Sequence, residues 1–349
     1  MYITDLACLS PQPTNDDTFW QGDVRVFTGH YYPAVEPSYG QVIPRNLLRK
    51  MGKAVKMGVW SGMQVLERNR DCEGIIIGTA DGAAENFVNF IGEILEYDEG
   101  TLTPTAFVQS APNSLAGTLA LMTKNTGYNA TYVDKGSAFA SALIDALMLF
   151  EEKQVSTLLV GNTEQYSSDA YHIESLSAFF KQQPVASNKL IHSQTPGTAF
   201  GEGSAMFALS AQPDRAYARV CDVTQTLYPS KDDLTSLVET FLEKNNRRPS
   251  DIDVLVLGWS GDNGTDHWYD DLRQELFPSS AVYSFKNLSG EYPSSTAFGL
   301  WLAAHILNGA TIPEDCQIQA STSTPKNLLL YNHYRGIAHS LTLLTEGDR

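Results

Sequence analysis

Positive charge is scarce in this sequence: 24 Lys and Arg stand against 40 Asp and Glu over 349 residues, a net charge of −16. With no basic surplus to neutralise phosphates, non-specific nucleic-acid binding is excluded as a function class. Cysteine is scarce too. Cys8, Cys72, Cys221 and Cys316 stand far apart and form no CxxC pair. That pattern predicts buried, reduced thiols in a cytoplasmic protein, with no cysteine at a position that reads as catalytic. No apolar run approaches the roughly 20 residues that span a bilayer. Residues 1–5 have neither a basic nor an apolar leader pattern, so no secretory signal is expected. Low-complexity segments are absent. What is present is an ordinary globular balance of 42% hydrophobic and 18% charged residues.

Short apolar runs broken by glycine recur at residues 74–79, 155–161, 204–209 and 252–258. Runs of this kind suit strands covered on both faces. Helical stretches alternate with them, at 47–66, 86–97, 138–152, 232–244 and 293–307. The alternation predicts an α/β fold with a largely covered sheet. The rhythm occurs twice, on either side of the polar stretch 210–215, and predicts two similar halves, 1–210 and 211–349, within one compact unit. Residues 11–39 are the least regular. They set Phe19, Trp20, Phe27, Tyr31, Tyr32 and Tyr39 among polar residues and prolines, as a surface wrap or an interface.

The sharpest local signal is the run 132–143, which reads as a strand, a tight small-residue turn centred on Gly136-Ser137, and a helix. A side chain at such a turn lies close to a helix N-terminus, which favours negative charge. The run resembles the nucleophile segment of the β-ketoacyl synthases, of the thiolase superfamily, where the family carries its catalytic cysteine and this chain has Ser137. Ile43-Pro44, the glycine turn after residue 74, residues 110–117 and the Gly201-Glu202-Gly203 entry to a strand resemble further segments of the same family, in the same order. Two histidine motifs are changed. Gly258-Trp259-Ser260-Gly261-Asp262 stands where the family has HGTGT, and Lys286-Asn287-Leu288-Ser289-Gly290-Glu291 keeps the lysine but ends in Glu291 instead of histidine.

The resemblance implies a thiolase-like fold of two pseudo-repeated α/β halves in five layers. It also implies lost chemistry. Condensation needs a thiolate to take the acyl chain and two neutral imidazoles to stabilise the enolate formed on decarboxylation. Serine needs a base, glycine has nothing to donate, and a carboxylate opposes the developing charge. The resemblance therefore implies a non-catalytic subunit of the chain-length-factor type, like those of bacterial aryl polyene, flexirubin or dialkylresorcinol pathways. Such a subunit pairs as a heterodimer with an active β-ketoacyl-ACP synthase in fatty acid or polyketide-type biosynthesis. In that role Asn113, Ser114, Leu115, Leu119, Met122 and Thr123 would line the interface and the partner's acyl tunnel. An acidic carrier protein would dock mainly on the partner, because this chain is itself acidic.

Two other readings follow from the same residues. Ser137 would serve an acyltransferase or thioesterase if His339, His267 or Glu291 acted as its base. A catalytically dead homodimer would act as a scaffold or acyl-binding protein. The plainer readings are that Lys286 braces the fold in an ion pair with Glu291 or Asp266, that Lys135 pairs with a carboxylate to close the old pocket, and that Glu202 holds a loop by its backbone amides. Asp266-His267 and Asp270-Asp271 read as a solvated helix start, since neighbours along a helix do not converge on one metal ion. No cofactor is expected.

Overall fold

The run Gly74–Thr79 is buried at all six positions, as a strand covered on both faces must be. It belongs to a computed structural model that describes residues 1–16, 18–100, 104–321 and 324–347. The first part of the chain runs through β1 (Tyr2–Leu9), β2 (Tyr31–Tyr32), α1 (Arg45–Leu48), α2 (Lys53–Leu66), β3 (Gly74–Thr79), α3 (Ala84–Glu96), α4 (Pro104–Ser110) and α5 (Ser114–Thr123). It continues through β4 (Tyr128–Val133), α6 (Ala138–Glu151), β5 (Thr157–Asn162), α7 (Ser168–Ser175), β6 (Phe200–Gly201) and β7 (Ser204–Ser210). Then come β8 (Ala218–Leu227), α8 (Lys231–Lys244), β9 (Val254–Leu257), α9 (His267–Leu276), β10 (Ala281–Ser284) and α10 (Lys286–Ser289). The last elements are α11 (Thr296–Leu307), β11 (Gln317–Gln319), β12 (Asn327–Tyr334) and β13 (Ala338–Glu346).

Eleven strands form one sheet in the order β11-β10-β9-β12-β13-β8-β1-β7-β5-β3-β4. It is two leaves joined at a narrow seam, because β1 and β8 pair only through Tyr2–Arg219 and Ile3–Ala218. In the first leaf β1–β7 and β7–β5 are antiparallel, and β5–β3 and β3–β4 are parallel. In the second leaf β8–β13 and β13–β12 are antiparallel, and β12–β9 and β9–β10 are parallel. The same sequence of directions is used twice.

The leaves stack around two helices, α6 and α11. Eleven of the twelve residues of α11 are buried, as a helix apolar on every side requires. Phe139 and Leu143 of α6 share one core with Trp301 of α11, Phe207 of the first leaf and Leu330 of the second. Helices α2 and α5 cover the outer face of the first leaf, and α8 and α9 that of the second. The result is five layers.

The single helix expected over 47–66 is broken. Gly52 is extended (φ −69°, ψ 170°) and separates α1 from α2. Within α2, Gly58 and Gly62 let α5 come close: a Cβ at Gly62 would stand 2.8 Å from Leu119 Cδ1. The irregular segment 11–39 is a wrap whose Phe19 is fully buried, and Trp20 stacks 4.8 Å from Trp301. No described helix is long and apolar enough to cross a membrane.

Candidate functional site

The turn after β4 sets Ser137 directly before α6. Gly136 has no side chain because none fits; a Cβ there would press on Tyr334 and Ala338. Gly78 of β3 is equally constrained, since its Cβ would lie 2.7 Å from Phe139 Cα. Ser137 is 4% exposed and its amide donates to Asp134 O at 2.8 Å. Among the described residues nothing hydrogen-bonds to its hydroxyl.

The expected bases lie elsewhere. Ala338 packs toward Gly136, and strand alternation turns the next residue, His339, to the opposite face. There His339 Nδ1 lies 2.8 Å from the Tyr331 hydroxyl, and Trp268 meets the ring edge-on at 5.0 Å. Burial pulls its pKa down to about 4. His267 is exposed on α9, stacked on Trp268. No hydrogen bond joins either histidine to Ser137 among the described residues.

Gly258 follows β9, and its missing side chain is replaced by its neighbours. A Cβ there would overlap Asn332 Oδ1 and stand 2.8 Å from the Tyr269 hydroxyl and 3.0 Å from Lys286 Cε. These groups form a closed network. Tyr269 donates to Asn332 Oδ1 at 3.0 Å, Asn332 Nδ2 donates to Thr296 Oγ1 at 2.8 Å, and the His333 amide donates to the Tyr269 oxygen at 3.0 Å. Lys286 is fully buried and donates to Glu291 Oε2 at 2.6 Å and to His333 O at 2.8 Å. Burial pushes the Glu291 carboxyl up to about 7, against the opposing pull of Lys286. An ion pair and a hydrogen-bonded plug fill this space.

Two expectations are corrected here. Asp266 is not a solvated helix start. It is buried and accepts from the amides of Ser260 (3.0 Å) and Gly261 (2.7 Å), pinning the turn after Gly258, and burial raises its pKa to about 6. Lys135 does pair with a carboxylate, Asp81 at 2.7 Å, but its side chain is 61% exposed. That pair lies in solvent and closes no pocket.

Glu202 holds the wrap: it accepts from the amides of Ala34 and Tyr166, both at 2.9 Å, and from Lys53 Nζ at 2.5 Å. The residues expected at the interface divide. Leu115 and Leu119 point into the chain's own core against Gly58 and Gly62. Asn113 is exposed, and Ser114, Met122 and Thr123 are half-buried. Met122 and Thr123 border an open cavity of about 660 Å³ at the far end of α5.

Sequence reading missed Asn332, which fills the Gly258 space together with Tyr269, and Lys181. The Lys181 ammonium donates to Thr195 O at 2.7 Å and to Gly261 O at 2.5 Å, tying a distant loop to the same turn. Glu164 was missed as well. It is buried, accepts from Ala80 N and Ser294 Oγ, and is pushed by burial up to about 8.

The layered fold, with a closely packed hydrogen-bonded cluster at the ends of its strands, defines a thiolase-like protein. The model of the β-ketoacyl synthase N-terminal domain matches residues 29–240, and the chain belongs to that family. No curated protein matches the chain. Among solved structures it is similar to a β-ketoacyl synthase from Burkholderia phymatum STM815, with 14% identity over 99% of both chains and a TM-score of 0.81. It is similar to the ishigamide ketosynthase/chain length factor, with 13% identity over 99% of both chains and a TM-score of 0.81. It also matches AntDE:AntF, a type II polyketide synthase acyl-carrier protein in complex with its ketosynthase bound to the hexaketide. There the identity is 14%, over 99% of this chain and 98% of that one, at a TM-score of 0.76. At such identities the likeness is one of fold.

Proposed function

We propose that this chain is a non-catalytic ketosynthase-like subunit, a chain length factor. It pairs with an active β-ketoacyl-ACP synthase and shapes that partner's acyl tunnel in fatty acid or polyketide-type biosynthesis of the aryl polyene kind. The observation that carries the reading is the plug at Gly258. A site that had merely lost a histidine would leave a hole, and this one is filled by Asn332, Tyr269 and a buried Lys286–Glu291 pair.

Two further observations support a partner. Strand β4 is an edge of the eleven-stranded sheet, and an unpaired edge invites another chain. Asn113, at the start of α5, is exposed, whereas Leu115 and Leu119 are already used internally. Tunnel shaping thus falls to Asn113, Ser114 and, farther along α5, Met122 and Thr123. The acidic carrier protein is received mainly by the partner, since this chain carries −16.

A substitution series tests tunnel shaping. Asn113→Trp and Ser114→Phe, co-produced with the active ketosynthase, are expected to shorten the product by at least one extender unit. Leu119→Ala is expected to lower stability by about 2–5 kcal/mol without a specific change of length. An unchanged length distribution across the series, read by mass spectrometry of carrier-bound chains, would remove tunnel shaping from the account.

A further inference from the structure

Helix α3 has thirteen residues and none is buried. Its apolar side chains are nevertheless grouped: Phe87, Val88, Ile91 and Leu95 recur at helical spacing, and all four are exposed, Leu95 by 78%. Helix α4 packs on α3, with Phe90 and Phe107 rings 5.6 Å apart, and Phe107 is itself 64% exposed. Leu121 of α5 is 83% exposed. An amphipathic helix with its apolar side in water is a surface meant to be covered. The buried side-chain oxygens of Ser114 on α5 and Thr131 on β4 also lack hydrogen-bond partners among the described residues.

The charge of this region says what covers it. Residues 71–123 hold eight Asp or Glu and no Lys, Arg or His, which is half of the chain's net −16. Asp81 is matched by Lys135, and Glu85 accepts from Gln165 Nε2. Among the described residues no ion pair reaches Glu96, Asp98 or Glu99, which are exposed around the C-terminus of α3. That end of a helix carries partial negative charge and favours cations, yet the last turn of α3 contains no basic residue. Among the described residues, no basic side chain forms an ion pair with these three acids.

A second copy would not supply it. A symmetric dimer sets the same patch against itself, and through this arm it would place acid on acid around a common apolar centre. We infer that the α3–α4 arm docks on a different polypeptide, one that surrounds an apolar groove with Lys and Arg. This rests on the reading of the chain as one subunit of a two-chain ketosynthase, and it names the chemistry of the surface the partner must present. The apolar side chains supply the buried contact, and the acids at the end of α3 select the partner and exclude self-pairing.

The test uses the full chain and the active ketosynthase encoded nearest to it. Affinity is measured by biolayer interferometry at 50 and 500 mM NaCl, for the native chain, for Glu96→Gln/Asp98→Asn/Glu99→Gln and for Glu96→Lys/Asp98→Lys/Glu99→Lys. The native pair is expected to weaken at high salt. The neutral variant is expected to lose part of the low-salt affinity and most of the salt dependence, and the lysine variant to bind at least about tenfold more weakly at 50 mM. Sedimentation of the native chain alone is expected to show no dimer through this arm. Equal, salt-independent binding by all three would overturn the inference and leave the pairing itself standing. A native homodimer in which α3 is protected from hydrogen exchange would also overturn it. Failure of the native chain to bind the ketosynthase at any salt would overturn both this inference and the reading beneath it.

Discussion

Gly258→His is expected to cost about 3 kcal/mol or more, because the Cβ alone has nowhere to go. It would overlap Asn332 Oδ1 and crowd the Tyr269 hydroxyl at 2.8 Å. Overpacking a buried site typically costs about 1–3 kcal/mol. Here the insertion also breaks a buried network in which Tyr269, Asn332 and Thr296 satisfy one another, and each orphaned polar group adds roughly 1–3 kcal/mol. Against a total stability on the order of 5–15 kcal/mol this is severe. Ser137→Cys makes the contrast. It is close to volume-conserving and should change stability by less than about 1 kcal/mol. On the proposed reading it should also leave condensation and malonyl decarboxylation absent. Urea midpoints and release of carbon dioxide from malonyl-loaded carrier protein measure both effects. A Gly258→His variant of native stability would contradict the plug.

The second large effect lies in the ion pair. Lys286→Met leaves Glu291 buried without its cation, and removing one partner of a buried pair costs about 3–5 kcal/mol. Replacing both, Lys286→Met with Glu291→Leu, should recover most of that loss, because the pair's attraction largely offsets its own desolvation. The single variant should also depend on pH. In the native chain Glu291 is already pushed up to about 7 by burial, with Lys286 opposing the rise. Without Lys286 the folded carboxyl holds its proton still more strongly. The folded state then binds a proton that the unfolded state has released, so stability falls as pH rises through the folded pKa. The Lys286→Met penalty is therefore expected to be smaller at pH 5 than at pH 8. A penalty independent of pH, or a double variant no better than the single one, would contradict the assignment of a charged buried pair.

Much of the layered fold was legible because local chemistry and global fold agree. The run 74–79 is apolar throughout and is a strand buried on both sides, and the Gly136-Ser137 turn sits where strand gives way to helix. The break at Gly52 was not legible, since a helix-compatible composition hides one extended glycine. The residues at Ser137, Gly258 and Glu291 could be read as departures from the resembled motifs. What fills the space could not. Asn332, Tyr269 and Lys286 meet Gly258 from three separate elements, and no local pattern marks them as neighbours. His339, expected as a base for Ser137, lies on the other face of its strand, because alternation along β13 turns it away from Ala338 and Gly136. Leu115 and Leu119 look like interface residues by position, yet two glycines of α2 draw them into the chain's own core.

The central claim is that this chain works as the inert half of a pair, and co-production with the nearest encoded active ketosynthase tests it most directly. With a tag on one subunit only, the account predicts one-to-one co-purification and elongation of carrier-bound chains only when both subunits are present. A ketosynthase that elongates chains to full length alone, beside a chain that never joins it, would contradict the account.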